Sequence, residues 1–205
     1  LTSYDGIGTL FDTALHDPDV SSILLHIDSP GGEAQGAFDL ADKIRNAQAN
    51  TDKPVNAFAD MAASAAYLIG SAADQLFVSQ SAMVGSIGVR MLHVDQSRMN
   101  DAMGLTVTEL FAGARKVDGS PHAPLTDASM TALLGRINDL YDLFVDAVAK
   151  NRGITTAVIR RTDAGIFVGA KALPLGLADG VRTLDQLLAL PSVPVSTAVP
   201  SINTK

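Results

Sequence analysis

Ser64 stands within DMAASAAYLIGSAAD, residues 60–74, flanked by Ala62, Ala63, Ala65 and Ala66. Small neighbours let a second stretch of backbone approach closely and leave the hydroxyl facing a substrate. Tyr67, Leu68 and Ile69 then supply the bulk that buries a helix. A serine at a helix N-terminus sits among unpaired N–H groups and the positive end of the macrodipole, where a developing oxyanion is stabilised. The plainer reading is an N-cap serine on an alanine-rich core helix. One strand and helix earlier comes HIDSPGG, ending in Gly31 and Gly32. Adjacent glycines after a strand expose backbone N–H groups in a conformation that side chains block, which makes an anion-binding concavity. Alone, they read as a tight turn. Beside an exposed serine they read as half of an oxyanion hole, with the N–H of Ala65 as the other half.

A hydroxyl nucleophile needs a base. The histidines are His16, His26, His93 and His122, and none falls in a recognisable triad motif with a carboxylate. His26 lies within a strand and is expected in the core, while His16 ends an exposed helix. His93 stays open as a base. So does a lysine, which serves where desolvation leaves its amine neutral near the working pH. The loop at residues 112–121 contains a lysine, Lys116, whose plain reading is a solvated surface charge.

The elements that must position these groups follow from periodicity. Ile7, Leu10, Phe11, Ala14 and Leu15 mark a helix over residues 4–16, closed by Asp17-Pro18-Asp19. Residues 22–28 are a short apolar strand of the buried parallel type. A helix is expected over 33–49, a strand over 55–59 leading into Ser64, and a strand over 75–78. Residues 82–94 are punctuated by glycines. A helix over 95–103 closes at Gly104, and a strand is expected over 107–111. The longest helix runs over residues 127–152, with Leu133, Leu134, Ile137, Leu140, Tyr141, Phe144, Val145 and Val148 as its apolar face. This order gives repeated βαβ units, an α/β fold, with both unusual turns at the carboxyl ends of parallel strands.

With 205 residues, 47% of them hydrophobic, the chain can bury one sizeable core, and one domain is expected over residues 1–190. A net charge of −7 without a basic stripe argues against nucleic acid as partner. Cysteine is absent, so disulfides and thiolate zinc sites are excluded, and neither metal nor cofactor is expected. No apolar run reaches membrane-spanning length. Leu1 rather than Met begins the chain, the mark of a fragment or processed form. Residues 191–205, PSVPVSTAVPSINTK, read as a linker or tail.

HIDSPGG, DMAASAAYLIGSAAD, VGSIGV and AGARKVDGSPHAPLT, in that order, resemble the signal peptide peptidase A family of serine proteases in the ClpP/crotonase superfamily. The resemblance runs from about Tyr4 to Leu190 and implies a ClpP/crotonase-like fold with a long helix toward its C-terminal end. It makes Ser64 the nucleophile and Lys116 the general base, with Gly31 and Gly32 in the oxyanion hole. Gly85-Ser86-Ile87 stands where ClpP carries its histidine, so a Ser-Lys dyad is implied, with Ser86 as a hydrogen-bonding support for the lysine. Ala65 and Ala66 depart from the glycines that the family often has there, which bears on the width of the substrate channel. The loop from Lys116 to Gly119 with Pro121 and Pro124, the run from His93 to Ser97 and the opening LTSYDGIG are similar to the phage and prophage head maturation branch. That branch implies cleavage of scaffold or capsid polypeptides, in host cytoplasm or procapsid, by a homo-oligomer without nucleic acid. The alternatives are degradation of residual signal peptides at the periplasmic membrane, or a catalytically silent oligomeric scaffold.

Overall fold

Ser3 opens the first helix, α1 (Tyr4–His16), by accepting the Gly6 N–H on its Oγ at 3.0 Å. The computed structural model describes residues 2–189; the tail at residues 191–205 lies outside them. After α1 come β1 (Ile23–Ser29), α2 (Ala37–Gln48), β2 (Val55–Ala63), α3 (Ala65–Ser71) and β3 (Gln75–Gly85). The strands β1, β2 and β3 pair in parallel, as the alternation of strand and helix requires. Val55, Ala57, Ala59, Leu76, Val78 and Val84 are fully buried, as are Ile44 of α2 and Tyr67 of α3. This is a parallel sheet whose core residues are apolar because helices cover it.

Chain contacts divide the molecule into two units. The first holds residues 2–87 and 144–189, and the second is Gly88–Leu143. In the second lie α4 (Ser97–Ala102) and the first part of α5 (Asp127–Arg152), which opens where the Thr126 hydroxyl accepts the Ser129 N–H at 3.1 Å. The rest of α5 belongs to the first unit, where Phe144, Val145 and Val148 are buried. There follow α6 (Thr156–Arg160), β4 (Ile166–Val168), a 3₁₀ turn (Gly169–Leu175), β5 (Gly180–Val181) and α7 (Leu184–Leu188). The sheet order is β1-β2-β3-β4, with β4 antiparallel to β3 and β5 parallel to it.

Several boundaries differ from those expected. The second helix begins at Ala37 rather than residue 33, because Gly36 has φ +83° and breaks the helical path ahead of it. Residues 107–111 form no strand; their side chains are exposed and nothing among the described residues pairs with their backbone to build a ladder. Leu134 on α5 is half exposed rather than part of a buried face. His26 is not a core residue. It lies exposed on β1, its Nε2 3.0 Å from the Asp60 carboxylate. Asp60 is the residue skipped where β2 slips register against both neighbours, a bulge that pushes its side chain toward β1.

Candidate active site

Asp60 shifts β2 against β1 so that Ser29 pairs with Ala62, and residues 79–82 of β3, skipped opposite Asp60, bring Ala63 against Gly85. The next residue is Ser64, where β2 turns abruptly into α3. Its backbone has φ +54° and ψ −126°, a region that residues with a Cβ rarely enter. Its hydroxyl makes no capping bond to the helix, so the simple N-cap reading does not describe it. Its N–H donates to the Gly85 carbonyl at 2.9 Å, tying the elbow to the end of β3. The side chain is left half-exposed. The first N–H groups of α3, that of Ala65 included, have no carbonyl one turn back to accept them.

Gly31 lies directly against this elbow. A Cβ there would stand 2.8 Å from the Ala63 carbonyl oxygen, 2.8 Å from the Ser64 Cβ and 3.2 Å from the Ala65 nitrogen, and its φ is +109°. Both the conformation and the closeness require glycine. The Gly31 N–H donates to the Ser29 hydroxyl at 3.2 Å, whereas the Gly32 N–H has no hydrogen-bond partner among the described residues. Ser86 follows Gly85 with φ +52°, its N–H on the Gly165 carbonyl at 2.8 Å. A Cβ on Gly85 would come within 2.5 Å of that same carbonyl oxygen. Ser64, Ala65, Gly31, Gly32 and Ser86 are thus gathered at the carboxyl ends of β1, β2 and β3.

Lys116 belongs to the second unit. It is exposed, in a run of turns where its own N–H donates to Gly113 and that of Ser120 to Val117. Two residues on, the Asp118 side chain is only 2% exposed. It accepts from the Ser129 hydroxyl at 2.7 Å and faces Arg115 at 3.4 Å and Arg136 at 3.9 Å. That cluster anchors the lysine loop to α5. His93 is in the same unit, its Nε2 donating to the Ser120 carbonyl at 2.8 Å. His122 pairs with Asn100, and His16 is exposed at the end of α1, as expected, its Nδ1 donating to the Asp12 carbonyl of its own helix at 2.7 Å. Among the described residues no cluster of acidic and histidine side chains could hold a metal ion, and no helix is long and apolar enough to cross a membrane.

Sequence reasoning gave no supporting role to Ser29 or Tyr4, the latter touching the glycine loop from α1, and named Gly85 only for its place beside Ser86. Gly85 carried a signal, since a glycine and a serine closing an apolar run mark a sharp exit from a strand. Ser29 and Tyr4 are common surface types; the role of Tyr4 depends on a contact distant in sequence, that of Ser29 on the shape of the turn at Gly31.

A serine on a strained strand-to-helix elbow is faced by a glycine turn at the same edge of a parallel sheet, in a mixed α/β protein. The match to peptidase family S49 over residues 47–192 makes the assignment specific: the chain belongs to that family. It is 39% identical to the capsid assembly protease C of Escherichia phage lambda over 87% of its own length and 40% of that protein's. The head-tail preconnector protein GP5 of Enterobacteria phage P21 is 38% identical, again over 87% of this chain and 36% of the relative. A protein of Enterococcus faecium whose name refers to signal peptide peptidase SppA is 30% identical over 80% of this chain and 48% of its own. The chain therefore spans two-fifths or less of the two phage relatives. Its fold is shared with a mutant of the 1510-N membrane-bound stomatin-specific protease, at a TM-score of 0.57 and 16% identity, over 90% of this chain and 74% of that one.

Proposed function

We propose that this chain is the catalytic domain of a serine endopeptidase that cleaves scaffold or capsid polypeptides during phage head maturation. The observation that carries the chemistry is the Ser64 elbow, strained and uncapped, with Gly31 packed against it. In the reaction the Ser64 Oγ attacks the peptide carbonyl while its proton passes to the Lys116 amine. The carbonyl oxygen becomes an oxyanion held by N–H groups of Gly31 or Gly32 and of Ala65. As the tetrahedral intermediate collapses, the lysine returns the proton to the leaving amine. Water then attacks the acyl-enzyme by the same route in reverse and frees Ser64. Ser86 supports the lysine, and the chemistry calls on no cofactor.

The phage setting is supported by the two phage relatives, and host cytoplasm or procapsid is the location proposed with it. The SppA-named relative supports a second reading, degradation of signal peptides at a membrane. The protein is proposed to work as a homo-oligomer on polypeptide substrates, without nucleic acid.

Purified protein incubated with phage scaffold protein and, separately, with synthetic signal peptides distinguishes the two substrates. Ser64→Ala should abolish cleavage of either while leaving folding almost unchanged, and an active Ser64→Ala protein sinks the nucleophile. Lys116→Arg should be as inactive as Lys116→Ala, because a guanidinium keeps its proton throughout the accessible range. His93→Ala should retain activity. Robust cleavage by Lys116→Arg together with none by His93→Ala would transfer the base to His93.

A further inference from the structure

The segment between β1 and α2, residues 30–36, carries Gly31 and Gly32 but has little to hold it in place. It has no regular structure, and two of its glycines, Gly31 and Gly36, have positive φ. Its bonds within residues 29–40 are local: Ser29 with Gly31, Ala37 with Ala34, and Leu40 with Gly36. Among the described residues a single hydrogen bond reaches it from elsewhere. The Tyr4 hydroxyl, at the start of α1, donates to the Glu33 carbonyl at 2.8 Å.

The same phenol ring spans the loop. A Cβ on Gly32 would lie 3.2 Å from the Tyr4 hydroxyl, and one on Gly36 would lie 3.1 Å from the Tyr4 ring. Tyr4 therefore sits against the backbone one residue before and three residues after Glu33, and bonds to Glu33 itself. Ser3 caps α1, so the residue that holds the loop is itself held at the first turn of a helix. Burial, and then the Glu33 carboxylate, push the Tyr4 phenol above its ordinary value, so it stays a donor.

We propose that Tyr4 is a positioning residue of the Ser64 site: its hydroxyl clamps the Glu33 carbonyl and so fixes the Gly31–Gly32 backbone where an oxyanion must be met. This rests on the reading of the glycine loop as half of the oxyanion hole. Donors stabilise a transition state without further cost only when they are already in place, and a loop free to drift loses that advantage.

Tyr4→Phe tests it, since it removes the hydroxyl and keeps the ring against Gly36. Two measurements are made on the full chain beside wild type and Ser64→Ala: hydrogen exchange of the peptide covering residues 30–36, and kcat and KM for a cleaved peptide. The expected result is faster exchange confined to that peptide, kcat lower by about 10- to 100-fold, KM within about twofold, and an unfolding midpoint close to wild type. A peptide boronate, which forms a tetrahedral adduct on serine, should lose affinity by the same factor as kcat/KM. Unchanged exchange, unchanged kcat, or a loss carried by KM alone would each overturn the clamp. So would a fall in activity that tracks global unfolding. Should wild type itself cleave nothing, the peptidase reading fails, and the exchange comparison alone decides whether Tyr4 holds the loop.

Discussion

A methyl group on Gly31 has nowhere to go. It would press on the Ala63 carbonyl and the Ser64 Cβ at 2.8 Å, and the backbone would have to hold φ +109° with a side chain present. Strain of that kind costs about 1–3 kcal/mol, and forced overpacking a similar amount. Gly31→Ala should therefore lower unfolding free energy by about 2–4 kcal/mol and abolish hydrolysis, because relief can come only by moving the elbow. Gly32 is different. Its φ lies outside the positive range, and a Cβ there meets the end of the Tyr4 side chain at 3.2 Å, which can swing away. Denaturant titration and peptide hydrolysis of both variants should show Gly32→Ala far less unstable. Equal destabilisation would mean that the packing at Gly31 is not what holds the elbow. At this scale the sequence was most legible, since small residues beside a serine and paired glycines after a strand announce close backbone approach in their composition. Tyr4 and Ser29 gave no such notice, because what matters about them is a partner far along the chain or the shape of a turn.

Among the elements, α1 and the parallel order of β1 and β2 could be read directly, since hydrophobic period and turn residues agreed. The path of β3 to Gly85 could not, because residues 79–82 of β3 go unpaired opposite a bulge at Asp60 of β2, which only pairing reveals. That bulge is held on its exposed side by His26 and Asp60. The His26 hydrogen bond, chiefly, holds the Asp60 carboxyl below its usual range. The folded chain therefore favours the carboxylate more than the unfolded chain does. Stability from this source is complete above about pH 4 and is lost as pH falls through the lowered folded value. Both side chains are 48% exposed, so solvent screens the pair and the contribution is at most about 1 kcal/mol. Asp60→Asn should be slightly less stable than wild type near neutrality, with the difference vanishing as the pH is lowered below about 4. Urea midpoints of the two proteins across that range provide the check. A difference that grows toward acid would contradict this account of the bulge.

At the scale of the whole molecule, apolar side chains are distributed unevenly between the two units. Of the sixteen large hydrophobic residues exposed among the described residues, twelve belong to Gly88–Leu143, including Leu92 at 84%, Leu110 at 94% and Met103 at 65%. Lone exposed leucines are ordinary, but such a concentration in one unit is what a surface buried by association looks like. The unit also carries Lys116, so covering it would take water away from the loop that supplies the proposed base. Sedimentation of the protein should accordingly give a homo-oligomer. Replacing Leu92 and Leu110 together by aspartate should shift it toward monomer, because charge opposes burial at an interface. The same change should leave the unfolding midpoint near wild type, since neither side chain is packed within its own chain. Peptide cleavage should fall with the oligomer fraction and recover at high protein concentration. Wild-type protein that sediments as a monomer while cleaving at full rate would overturn the proposal, and so would a Leu92→Asp, Leu110→Asp variant that stays assembled.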